Sequence, residues 1–543
     1  MKVIKLLQRE SGYFTYLFVL LGIISGGLSA LVMPFVSGIV TEITATDEVT
    51  AFNYQKALLF IGLIFCLILS QRIFSKFLIK ITQKMIHRLR LNVLDKVRKA
   101  NYYAFEQIGK EKIYASITTD AAIVSNSAAN IVYATTAIVN VFFCLVYLAY
   151  ISFVGLGITL LAIFLGITFY WIRQKSIVGL FSEAREKENS FFKYIDELLS
   201  GFKEVKTDKT KNEALYTNFI EKTSKDTREL TAKGILKYLD NSLVGQTSFL
   251  FLIGVILFVF PVLKFDTADI ISYVFVILYI IGPIEGIMVV IPTITQANVS
   301  LSHIEEINQR ADSILEKEEQ KLNDVSETFQ ELNLNQVTFD YNENNAETFG
   351  IGPIDFNVKR GELVFIVGGN GSGKTTLFKL LTGLYKPKSG KILVNGKMVD
   401  LSNYRRLFAP IFSDFHLFER PYGYTIDEDK IQEINALIET MGLKGKVTFE
   451  DGKFSSTSLS TGQRKRLALI SCIVEDKPVI MLDEWAADQD PQFRKHFYRE
   501  MLPELIKKGK TIIAISHDDH YFDVADRIYK MDYGKIKQIK NDN

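Results

Sequence analysis

The sequence predicts a multi-domain membrane protein: an all-α, six-helix transmembrane domain with long cytoplasmic helical extensions, followed by an α/β domain with a helical subdomain. Three observations carry this. Six runs in the first half are long, apolar and nearly free of charge, near residues 13–40, 57–70, 131–153, 155–172, 243–263 and 270–294. In the second half, short apolar runs bounded by charge or proline read as the buried strands of a parallel sheet. Two of these strands end in unusual turns: residues 363–367 run into Gly368-Gly369-Asn370-Gly371-Ser372-Gly373-Lys374-Thr375, and residues 479–482 run into Asp483-Glu484.

At 543 residues the chain exceeds one ordinary domain. Its 63 Lys and Arg nearly balance its 61 Asp and Glu, which argues against a nucleic-acid partner. A mean hydropathy of +0.14 is high for a soluble protein. Cys66, Cys144 and Cys472 each lie in apolar segments and are expected to be buried small hydrophobes rather than redox or metal groups. No repeat or low-complexity tract stands out.

Lys2, Lys5 and Arg9 precede the first apolar run, as in a secretory signal. That run is too long for a signal and further spans follow, so a retained transmembrane helix is expected, with no protease module ahead of it. The second run is extended by Ile73, Phe77, Ile81, Met85 and Leu89 at intervals of four. This predicts one apolar face on a helix that leaves the bilayer, with Arg72, Lys76, Lys80, Lys84 and Arg88 on its other side. Residues 71–120 and 173–240 are rich in Lys and Arg, whereas the first loop holds Glu42, Asp47 and Glu48 with Lys56 alone. By the positive-inside tendency, the long segments and both termini are cytoplasmic. The predicted domains are 1–310, the membrane domain; 311–332, a polar linker; and 333–543, the α/β domain.

The turn at Gly368–Thr375 fits G-x-x-x-x-G-K-[ST] between a strand and a helix, which makes the second domain an α/β P-loop nucleotide-binding domain. Its glycines let backbone N–H groups turn toward phosphate oxygens, and the helix N-terminus adds partial positive charge. The predicted ATP-binding residues here are Gly368, Gly369, Asn370, Gly371, Ser372, Gly373, Lys374, Thr375 and Thr376, with Lys374 on the outer phosphates and the Thr375 hydroxyl on Mg2+. Asp483 and Glu484 emerge at the carboxyl end of their strand, where open α/β sheets bind ligands.

Between these two features, Leu459-Ser460-Thr461-Gly462-Gln463 resembles the signature motif of the ATP-binding cassette (ABC) family, and the resemblance extends over residues 330–540. It implies that Ser460, Thr461, Gly462 and Gln463 contact nucleotide held by the opposite subunit; Thr461 stands where the family usually has Gly. Asp488-Gln489-Asp490 falls at the D-loop and His517 at the switch histidine, although His517, His520, Asp518 and Asp519 also suggest a metal group. Tyr341 falls where an aromatic stacks on adenine, with an ordinary strand tyrosine as the alternative. The implied catalytic set is Glu484, which polarises the attacking water unless it is only a salt-bridge partner, His517 on the γ-phosphate side, and Lys374. Thr375 and Asp483 would hold Mg2+, joined by Ser413, which replaces the family's usual Gln and has a shorter reach. Short coupling helices are implied near Gly109–Asp120 and Glu197–Lys206, with a solvated basic coil as the alternative.

A chain with one membrane domain and one cassette must pair, most simply as a homodimer with two ATP sites in the lipid bilayer of a bacterial inner membrane. Residues 412–418, 459–466, 483–490 and 515–519 look like the bacterial cyclic-peptide exporters, which include pyoverdine-precursor, syringomycin-type and microcin-efflux transporters. An ATP-driven exporter of a cyclic or modified peptide, or of a siderophore precursor, is therefore expected. The alternatives are a lipid flippase, a siderophore importer and an ATP-gated sensor of peptide stress. Glu285, flanked by Gly282, Pro283 and Gly286, is expected in the substrate cavity, because an intramembrane carboxylate must face water, a partner or cargo. Asn140 and Gln246 are candidates for the same cavity or for hydrogen bonds between helices.

Overall fold

Apolar runs of this length become helices because lipid offers no partner to an open backbone N–H or C=O. The computed structural model describes residues 14–45, 54–312, 329–341, 349–398, 401–423 and 425–539. Lys2, Lys5, Arg9, Asp47, Glu48 and most of the predicted linker lie outside the described residues. Two units are formed, one from residues up to 95 and from 111–308, the other from 96–110 and from 309 onward.

Among the described residues, the first unit carries six helices long and apolar enough to cross a membrane. These are α1 (Phe14–Ala45), α2 (Tyr54–Lys99), α4 (Lys110–Ile151), α5 (Phe153–Ser200), α7 (Lys209–Val259) and α8 (Thr267–Asp312); between them lie the short helices α3 (Tyr102–Ile108) and α6 (Phe202–Thr207). Leu148, Ile256, Phe260, Tyr273, Val276, Ile277 and Ile280 form the buried centre of one cluster. Tyr273 Oη donates to the carbonyls of Leu148 at 2.9 Å and Ser152 at 2.8 Å, joining α8 to the end of α4. A Cβ on Gly155 would sit 2.4 Å from that hydroxyl, so the α4–α5 corner is closed only by glycine. Leu58, Ile61 and Phe65 point outward, a normal arrangement where the solvent is hydrocarbon. Cys66 shares this outer surface and is exposed, which corrects the expectation that all three cysteines are buried; Cys144 and Cys472 are.

The apolar face of α2 also differs from the interval-of-four expectation. Its buried residues are Phe74, Leu78, Thr82, Met85, Leu89 and Val93, while Ile73 is 38% exposed. At 3.6 residues per turn a strict four-residue spacing drifts by about 40° per step, and a step of three restores the face.

The short helix after α2 lies earlier than the implied Gly109–Asp120. Asn101 caps α3 by accepting from Ala104 N–H at 2.7 Å, and Gly109, at φ 81°, ends it. Residues from Lys110 onward already belong to α4. Helix α3 is part of the second unit. Tyr102 and Tyr103 pack on that unit's core, and Glu106 pairs with Lys379 at 2.7 Å and accepts from the Tyr385 hydroxyl. Burial and the Glu106 charge push the Tyr102 hydroxyl up to about 12.

The rest of the second unit contains two large sheets. β1 (Glu331–Asp340), β2 (Gly350–Lys359), β4 (Ser389–Val394) and β5 (Lys397–Met398) form an antiparallel sheet ordered β2-β1-β4-β5. β3 (Leu363–Val367), β6 (Phe408–Ile411), β9 (Val479–Asp483), β10 (Thr511–Ile515), β11 (Arg527–Asp532) and β12 (Lys535–Ile539) form the other, ordered β12-β11-β3-β10-β9-β6. Every residue of β3, β9 and β10 is buried, as continuous apolar strands covered on both faces must be. Helix α9 (Lys374–Leu381) follows β3, while α10 (Glu428–Thr440) and α11 (Thr461–Val474) form the helical subdomain with the hairpin β7 (Phe449–Glu450) and β8 (Lys453–Phe454).

Glu106→Ala removes both the partner of Lys379 and the acceptor for Tyr385. Amide exchange across Tyr102–Ile108 is expected to speed up in the full-length protein, with a stability change of only about 1 kcal/mol for a partly exposed pair. Unchanged exchange there would show that the tyrosines alone hold α3.

Candidate active site

Strands β9 and β10 run parallel with Asp483 opposite Ile515, so Glu484 and His517 leave the sheet at the same edge. His517 Nε2 lies 3.0 Å from Glu484 Oε1. Glu484 adopts a left-handed backbone, φ 48° and ψ 39°, which costs a residue with a Cβ about 1–2 kcal/mol. Two bonds hold it there: its N–H donates to the Ile515 carbonyl at 3.1 Å, and its carbonyl accepts from Lys465 Nζ at 2.8 Å.

Asp483 is buried, and its Oδ2 has no hydrogen-bond partner. Burial pushes its carboxyl above the usual carboxylate range and the Glu484 charge adds to this; Ser413, donating from its backbone N–H and its hydroxyl, and the Lys374 charge pull it back. A buried carboxylate with one open oxygen suits a divalent cation, which would offset both upward effects. Ser413 touches Asp483 and Thr375 stands exposed at the start of α9, so an all-oxygen Mg2+ set from Thr375, Asp483 and Ser413 fits.

The glycine loop is shaped by close approach. A Cβ on Gly368, at φ 155°, would fall 2.3 Å from Met531 O, and one on Gly373, at φ 102°, 2.7 Å from Ile351 Cγ2. Lys374 Nζ donates to the Gly368 and Gly369 carbonyls at 2.9 and 3.0 Å. Gly369, Asn370 and Gly371 form the exposed tip, with the Ser372 hydroxyl buried and unpartnered beneath it. Tyr341 stands over α9: its hydroxyl is 2.8 Å from Thr376 Oγ1, its ring meets Phe339 and Tyr385 at 5.3 and 5.9 Å, and its carbonyl accepts from Tyr103.

At the signature, Ser460 begins α11 and its N–H donates to Gln463 Oε1 at 3.3 Å. Thr461 is exposed, which accounts for a side chain at a position usually held by glycine. Gly462 has no such freedom, because a Cβ would sit 2.7 Å from Asp488 O. Asp490 caps the next helix by accepting from Phe493 N–H at 2.9 Å and binds Arg466 at 2.6 Å; these contacts hold its carboxyl below the usual range.

Sequence reasoning missed the group that ties these parts together. Lys465 is buried, and besides the Glu484 carbonyl it binds Asp488 Oδ2 at 2.6 Å. Trp485 Nε1 donates back to the Lys465 carbonyl at 2.7 Å, and the indole packs on Phe497 with ring centroids 4.2 Å apart. Gln489 accepts from Arg466 Nε at 2.8 Å and donates to the Gly462 carbonyl at 3.1 Å. A signal was present: Arg464, Lys465 and Arg466 crowd the first turns of α11, where the helix dipole disfavours cations, so acidic partners from elsewhere were required.

In the membrane unit, Asn140 is buried, and its Nδ2 donates to Tyr279 Oη at 3.1 Å. Tyr279 in turn donates to the Ser29 carbonyl at 2.9 Å, so Asn140 belongs to a hydrogen-bond chain that links α4, α8 and α1. Gln246 Nε2 donates to Glu285 Oε1 at 3.0 Å, bringing those two candidates together.

A family model described as ABC transporter transmembrane region matches residues 16–263, and one described as ABC transporter matches residues 351–487. Over 98% of its length the chain is 32% identical to a protein named ATP-binding protein SyrD from Pseudomonas syringae pv. syringae, covering 95% of that relative. It is 34% identical to an ATP-dependent lipid A-core flippase from Burkholderia orbicola over 39% of this chain and 37% of the flippase. The solved structure of a bacterial Atm1-family ABC exporter with ATP bound superposes with a TM-score of 0.73 at 17% identity, covering 98% of this chain and 95% of that one.

Lys465→Met removes the bonds to Glu484 and Asp488 together. Hydrolysis is expected to slow roughly 10- to 100-fold through displacement of the carboxylate, with KM for ATP little changed in steady-state assays of the purified protein. A loss seen only as a raised KM would put Lys465 in nucleotide binding instead.

Proposed function

This chain belongs to the ABC transporter family, whose membrane region and ATP-binding domain it joins in one polypeptide, and from that premise we propose that it exports a cyclic or modified peptide, siderophore precursors included. ATP hydrolysis coupled to transport follows from family membership. The observation that carries the chemistry is the 3.0 Å contact between Glu484 and His517 at the sheet edge beside Asp483. The peptide class is supported by the full-length similarity to ATP-binding protein SyrD together with the resemblance of the cassette motifs to the cyclic-peptide exporters. The flippase similarity spans only 39% of this chain and favours no cargo.

Backbone N–H groups of the glycine loop and Lys374 hold the ATP phosphates, with Tyr341 against adenine. Mg2+ held by Thr375, Asp483 and Ser413 would neutralise charge on the phosphates. Glu484 Oε2 orients the attacking water, while His517, bonded to Oε1, fixes the carboxylate and faces the γ-phosphate. Ser460, Gly462 and Gln463 complete the site of a second copy, so the working form is a homodimer. Helix α6 leaves Phe202 exposed, which supports its seating on the partner's cassette. Closing and parting of the cassettes then switch the membrane domain between inward and outward access. As a multi-pass bacterial membrane protein, it is assigned to the inner membrane with the cassette and both termini in the cytoplasm, an orientation supported by the Lys- and Arg-rich segments 71–120 and 173–240.

Inside-out vesicles are expected to take up a cyclic peptide only with ATP. Glu484→Gln should bind nucleotide normally while hydrolysis falls about 10²- to 10⁴-fold and uptake stops. Normal turnover in that variant removes Glu484 from its role, and uptake only into right-side-out vesicles makes the protein an importer.

Ser460→Arg is expected to abolish hydrolysis with ATP still bound, because the altered side chain enters the partner's site. Full-rate hydrolysis by a lone subunit carrying it would refute the paired mechanism.

A further inference from the structure

The spans hold one charged side chain. Residues 14–41, 57–71, 121–172, 241–263 and 270–302 contain Glu285 and no other Asp, Glu, Lys, Arg or His. Glu285 lies inside the apolar run 270–294 of α8, roughly 22 Å of helix rise from one end and 13 Å from the other, so it falls within a bilayer core about 30 Å thick. It accepts from a neutral donor, Gln246 Nε2 at 3.0 Å, and among the described residues it makes no ion pair.

Glycines flank this pair. A Cβ on Gly282, one turn before Glu285, would meet nothing within 4 Å, nor would one on Gly245, next to Gln246; one on Gly286 would touch only Ala137 Cβ at 4.0 Å. Small residues thus flank the single point of negative charge. With Gln246 donating to Oε1, Glu285 Oε2 and Gln246 Oε1 remain as acceptors, and neither residue offers a positive charge. That set matches a group with several N–H donors and a positive charge, a primary ammonium or a guanidinium. A carboxylate in hydrocarbon is tolerated when paired, and a cationic cargo would provide the pairing while bound.

We propose that Glu285, oriented by Gln246, is the contact for a cationic group on the cargo, so that the transported molecules carry an ammonium or guanidinium. This rests on the peptide-exporter reading and narrows its substrate class. The reaction is binding only; no bond is made or broken in the cargo.

The test uses the full-length protein in inside-out vesicles and two probes, a cyclic hexapeptide with one lysine and the same peptide with that lysine Nε-acetylated, quantified by mass spectrometry. The readout is the ratio of half-maximal concentrations for ATP-dependent uptake, which does not depend on each variant's own rate. Wild type is expected to favour the lysine peptide by roughly tenfold or more, the scale of a charged hydrogen bond. Glu285→Gln should bring the ratio to about one, whereas Glu285→Asp, which keeps the charge, should restore the preference and so separate a lost contact from a misfolded protein. A wild-type ratio near one with both peptides taken up overturns the inference and leaves a peptide exporter whose Glu285 ties helices. A preference that survives Glu285→Gln overturns it equally, by putting the cation contact elsewhere. If neither probe is taken up with ATP, the exporter reading falls first and the inference with it.

Discussion

The alignment of Asp483 with Ile515 in neighbouring parallel strands is the constraint on which the rest of the second unit depends. Parallel register sends two consecutive chain exits out at one edge, so an acidic pair and a histidine far apart in sequence become neighbours. Burial then divides the two carboxylates. Asp483 stays within the sheet with its carboxyl raised by desolvation, while Glu484 turns out through a left-handed residue. One strand thereby presents a buried oxygen with no hydrogen-bond partner and a second carboxylate turned out of the sheet, and the backbone strain at Glu484 is what separates their directions.

That strain is held by side chains from the signature helix. Lys465 grips the Glu484 carbonyl and Asp488, and Trp485 grips Lys465 in return. The signature helix α11 and the turn at Glu484 are therefore tied directly to each other. Trp485 is explained by this contact, since the indole fills the space against Phe497 and donates to the helix.

Much of this was legible in the sequence because the information is local. A glycine loop between a strand and a helix, an apolar strand ending in two acids and a serine-capped basic helix are each specified within about ten residues, and each forms where expected. Apolar runs likewise announce the spans. What could not be read depended on contacts between distant residues or on accumulated rotation. The face of α2 drifts because 3.6 does not match a spacing of four. Cys66 is exposed because apolar sequence means inward only when the surroundings are water. Helix α3 was assigned too late in the chain, although Asn101 and Gly109 mark its ends, because its purpose resides in Tyr385 and Lys379, nearly three hundred residues on. The partner of Asn140, the Tyr279 hydroxyl, likewise lies far along the chain.

Residues 96–110 come from the first half of the chain yet belong to the second unit. Tyr102 and Tyr103 press on its aromatic core, and Tyr103 reaches the carbonyl of Tyr341. The ATP-binding module is thus not a contiguous stretch of gene. A chimera that exchanged the carboxyl-terminal cassette for that of another transporter would inherit a foreign surface beneath α3, and only donors matching Tyr385 and Lys379 would graft. Recombination among such transporters is accordingly constrained to swap the short helix and the cassette together.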